Sequence, residues 1–74
     1  MTSRLEVETA LSRVLLEKVR GDAHPSTTYM DMLEQMAPPE LLREYLNVLF
    51  EKLITDQRPS IDMLRRVQRI GAAL

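Results

Sequence analysis

Three serines stand where helices begin, and they constrain this chain more than any other feature. Ser3 is followed by Glu6, the reciprocal arrangement in which a serine caps free backbone amides and a glutamate reaches back. Ser26 and Ser60 each follow a proline, Pro25 and Pro59, and each opens a run of apolar residues at helical spacing. Gly21 and the break at Ala37-Pro38-Pro39 supply stops. These signals cut the 74 residues into four segments, near 4–20, 27–36, 40–55 and 61–73, joined by short turns. No stretch of useful length alternates apolar with polar residues, so no strand is expected. The reading is an all-α fold, a single domain over 1–74 built as a small four-helix bundle.

The faces of these helices follow from a turn of 3.6 residues. On the first, Val7, Ala10, Leu11, Val14 and Leu15 fill one arc, and Leu5, Leu16 and Val19 extend it along a flank. Tyr29, Met32, Leu33 and Met36 form a stripe on the second. In the third, nine of the fifteen residues from Glu40 to Ile54 are apolar and sweep more than half the circumference, which marks it as the central helix. Met63, Val67, Ile70 and Leu74 set the fourth, with Gly71 read as a point of close packing and Arg65, Arg66 and Arg69 on the opposite side. Asp-Met-Leu follows both Pro-Ser pairs, yet the serine-to-aspartate spacing differs, which favours independent reuse of one helix-start signal over a duplicated hairpin.

A chain of this size buries only about 60% of its extended surface, and without cysteine no disulfide or zinc-thiolate staples it. Apolar arcs too wide for one neighbour then predict that dimerisation completes the bundle. The third helix is expected near a two-fold axis, through Leu42, Tyr45, Val48, Leu49, Phe50 and Leu53, with Leu11 and Leu15 of the first helix beside it.

The same residues narrow the chemistry. One histidine, in a turn before proline, and no cysteine leave no activated nucleophile, so no enzyme is expected. Asp22 and His24 fall short of a metal site, two glycines cannot build a phosphate cradle, and no cofactor is implied. The N-terminal residues carry no leader pattern and no apolar run reaches membrane length, which fits a cytoplasmic protein without a membrane partner. Net charge is −1, distributed as −4 over residues 31–57 and +3 over 58–74.

What remains is binding. Methionines at 30, 32 and 36 suit a surface that repacks around a protein partner, and Arg65, Arg66 and Arg69 form the second candidate contact. The favoured function is a homodimeric protein-interaction module, an adaptor, regulatory or assembly protein. The alternative is a small DNA-binding regulator whose arginine-bearing last helix enters the major groove, which the acidic total disfavours.

Overall fold

The computed structural model describes residues 2–74 and shows four helices, with no strand among the described residues: α1 Arg4–Gly21, α2 Thr27–Met36, α3 Pro39–Thr55 and α4 Ile61–Ala73. Their bounds match the serine and proline signals within a residue. Ser3, Ser26 and Ser60 each accept a bond from the backbone N–H three residues on, those of Glu6, Tyr29 and Met63. α3 has no side-chain cap and instead begins on Pro39, whose missing N–H a helix start does not need.

α1 packs along α2 and also meets α3, while α3 packs along α4. Leu15, Leu16 and Val19 of α1, Leu33 of α2, and Leu41, Tyr45, Val48 and Leu49 of α3 form the centre of the core, with Met63 and Ile70 from α4. Between α2 and α4 the junction is made by side chains more than by close backbone approach.

The buried side of α1 is the flank rather than the main apolar arc. Ser12, Leu15, Leu16 and Val19 are buried, whereas Val7, Leu11 and Val14 are exposed. Helix length explains part of this. At 1.5 Å per residue, α1 is about 27 Å long and α2 only about 15 Å, so the second helix can cover only half of the first. α2 is likewise rotated from its expected stripe: Met30 and Leu33 face inward, and Tyr29 and Met32 outward. Gly71 marks no close approach either, since a Cβ built there meets nothing within 4 Å.

The two turns between hairpin helices are built alike. Asp22 Oδ1 accepts the His24 N–H at 3.0 Å, and Asp56 Oδ1 accepts that of Arg58 at 2.9 Å. A proline and the capping serine follow in both. Aligned on these turns at an offset of 34 residues, 14–26 and 48–60 share Val14/Val48, Leu15/Leu49, Glu17/Glu51, Lys18/Lys52, Asp22/Asp56, Pro25/Pro59 and Ser26/Ser60. Segments 14–26 and 48–60 thus follow one helix-to-turn pattern, and at this offset Asp31 and Asp62 are not equivalent positions.

Candidate functional site

One member of the expected arginine strip of α4, Arg66, is drawn into an internal junction, while Arg65 and Arg69 stay exposed. Arg66 retains only 5% of its exposure. Its Nε donates to Asp62 Oδ2 at 2.7 Å, one turn back on the same helix, and its Nη1 donates to Asp31 Oδ1 and Glu34 Oε2 of α2, both at 2.8 Å. Arg69 Nη2 reaches the other oxygen of Glu34 at 2.8 Å, and the Tyr45 phenol of α3 donates to Glu34 Oε2 at 2.6 Å. Burial works against the charge on Arg66, but hydrogen bonds to Asp62, Glu34 and Asp31 hold its ionisation above the ordinary guanidinium value. Burial, followed by the Glu34 bond and charge, pushes the Tyr45 phenol well above its ordinary value too.

The buried side of this cluster is satisfied: among the described residues no buried side-chain nitrogen or oxygen lacks a partner, while the side chains of Asp31, Asp62 and Arg69 remain partly open to solvent. Of the three arginines, Arg65 is the one on the surface with no carboxylate partner among the described residues.

The partner-binding candidates therefore divide. Met30, 3% exposed, belongs to the core, because it lies on the side of α2 that meets α1 and the α4 start. Arg66 is withdrawn by its carboxylates. Met32 is exposed, Met36 half-buried, and Arg65 and Arg69 remain on the surface. The dimer-interface candidates divide in the same way. Leu15, Tyr45, Val48 and Leu49 are buried within the chain, where they already join α1, α2 and α3, and cannot also line a contact between folded copies. Leu11 and Phe50 are exposed, and Leu42 and Leu53 half-buried.

No protein family, curated protein or solved structure matches the chain. The site must be read from its geometry.

Between the two turns lies a cleft of about 240 Å³ lined by His24, Pro25, Met30, Lys52, Asp56 and Met63 among others. Lys52 does not present its ammonium to this cleft as a free group. It donates to the backbone carbonyls of Arg20 at 3.1 Å and Asp22 at 2.6 Å, closing the C-terminal end of α1 from the neighbouring hairpin. Among the described residues no three histidine, aspartate or glutamate side chains converge as metal ligands would, and no helix is long and apolar enough to cross a membrane.

The open faces are apolar. Val7, Leu11 and Val14 are exposed on α1, Tyr29 and Met32 on α2, and Phe50, Ile54 and Leu64 on the other hairpin, Ile54 at 80% exposure. Sequence reasoning missed Glu34 and Tyr45 as junction residues. The available signal was Glu34 itself, a carboxylate one position from Leu33 and four from Met30, hence on the inner side of α2.

Proposed function

We propose that this chain is a non-enzymatic protein-interaction module, an adaptor, regulatory or assembly protein of the cytoplasm, which works by presenting apolar helix faces to other chains, a second copy included. The observation that carries the proposal is the stripe Val7, Leu11, Val14, at i, i+4 and i+7, exposed on a helix whose other side is already packed. Surface area supports it. The chain exposes 5358 Å², where a compact monomer of its mass exposes about 4,700 Å². The nucleic-acid alternative draws less support, because Arg66 is engaged by three carboxylates and Arg69 by Glu34.

The test is the native mass of the tagged chain in gentle extracts of the cell that makes it. An interaction module runs well above 8.6 kDa, and the triple variant Val7→Glu, Leu11→Glu, Val14→Glu returns it to the mass of one chain. A wild-type species at single-chain mass in that extract rejects the proposal.

A further inference from the structure

We propose that copies of this chain stack head to tail, the outer face of the first hairpin in one copy seating on the outer face of the second hairpin in the next. The inference rests on the interaction-module reading and names the partner as a second copy.

The two hairpins within one chain already show the contact. α3 meets the first hairpin with Leu41, Tyr45 and Val48, all buried, and with Lys52 on the α1 carbonyls. Moving each of these back by the 34-residue offset lands on Val7, Leu11, Val14 and Lys18, the outer face of α1, where the three apolar residues are exposed. The reverse translation works as well. α1 presents Ser12, Leu16 and Val19 on its buried side, with Arg20 beside them bonded to Glu44 of α3. Their equivalents on α3 are Leu46, Phe50, Leu53 and Ile54, half-buried or exposed. Leu15 and Leu49 are equivalent too, and both are buried.

The shorter helices obey the same rule. Met63 and Arg66 of α4 are buried, and their equivalents Tyr29 and Met32 on α2 are exposed. Met30 is buried, and its equivalent Leu64 on α4 is exposed. The apolar junction residues and Arg66 thus have apolar equivalents that stand open, whereas the junction carboxylates Asp31 and Glu34 correspond to Arg65 and Gln68, so the stacked contact repeats the apolar part of the internal junction and not its ion cluster.

Charge points the same way. Lys52 closes the C-terminal end of α1, whereas its equivalent Lys18 makes no hydrogen bond or ion pair among the described residues. In a stacked pair Lys18 takes the corresponding place at the C-terminal end of the next copy's α3, beside the carbonyls of Ile54 and Asp56, at the negative pole of that helix. Because the two faces differ, the contact is heterologous and propagates until a ring closes or a filament grows.

Light scattering on a sizing column, with purified protein over a wide concentration range, tests this. Leu11→Glu blocks one end and Phe50→Glu the other, and since both positions are exposed, each variant keeps its helical circular dichroism. Wild type is expected above 8.6 kDa, rising with concentration. Each variant alone is expected at the mass of one chain, and their equimolar mixture as a complex of two chains, one of each. Lys18→Met is expected to weaken wild-type association about tenfold. A wild type at 8.6 kDa at every concentration overturns head-to-tail stacking, and leaves the interaction-module reading standing if the cell extract holds a larger species. A variant that stays associated alone, with no new complex on mixing, shows like faces meeting and also overturns it. Association untouched by Lys18→Met overturns the assigned geometry.

Discussion

The phenol of Tyr45 donates to Glu34 Oε2 at 2.6 Å, and the same oxygen receives Arg66 Nη1 at 2.8 Å, so one carboxylate of α2 ties α3 and α4 to it. Burial and Glu34 raise the ionisation of Tyr45 far above the ordinary 10.0. A pKa higher in the folded than in the unfolded state gives stability that is full below about pH 10 and lost as the pH climbs beyond it. In Tyr29→Phe, where Tyr45 is the remaining phenol, tyrosinate absorbance should rise together with loss of helical circular dichroism. Ionisation with the helices intact would contradict the burial of this hydroxyl.

Replacing Arg66 with methionine keeps much of the volume but leaves Glu34 with one fewer cation and Asp31 without its partner. The cost is expected at about 3 kcal/mol, since removing one member of a buried ion cluster strands the rest. The double variant Arg66→Met, Glu34→Gln should recover part of that loss. Urea denaturation midpoints of the two variants check it, and equal midpoints would show that Glu34 is not the stranded charge.

Gly71 lies inside α4 with open space where a Cβ would stand. Gly71→Ala should therefore raise stability by about 0.5–1 kcal/mol, through the lower entropy of the unfolded chain and better helix propensity. A fall in the thermal midpoint would reveal an unsuspected contact at this position.

The caps provide a paired test. Ser26→Ala and Ser60→Ala each remove an acceptor from an equivalent turn, and each should cost about 1 kcal/mol in chemical denaturation. Similar losses are expected because the flanking Asp-x-x-Pro turns are alike. A large difference would mean that only one of the two turns depends on its serine.

Helix ends were legible because serine, proline and aspartate act within one turn of themselves, and all four helices lie where those residues put them. Helix rotation was not. Val7, Leu11 and Val14 are as apolar as Leu15, Leu16 and Val19, and the wheel cannot say which arc meets a neighbour when both are eligible. That choice is made by α3, which arrives on the flank and brings Lys52 to the end of α1. Arg66 was hidden for a related reason: it occupies a helix face that is polar in composition, and only the carboxylates of Asp31 and Glu34, thirty-five and thirty-two residues away, turn that face inward.

The position of the ion cluster has a thermodynamic consequence. Each hairpin is assembled from neighbours in sequence, so each could form and melt almost independently, as units of a linear array do. What couples them is the seam where α3 crosses α1 and where Arg66 grips α2. The sharpness of the melting transition is therefore a property of that seam. Weakening the guanidinium cluster should broaden the transition and part the calorimetric from the van't Hoff enthalpy, even while both turns and all three serine caps stay in place.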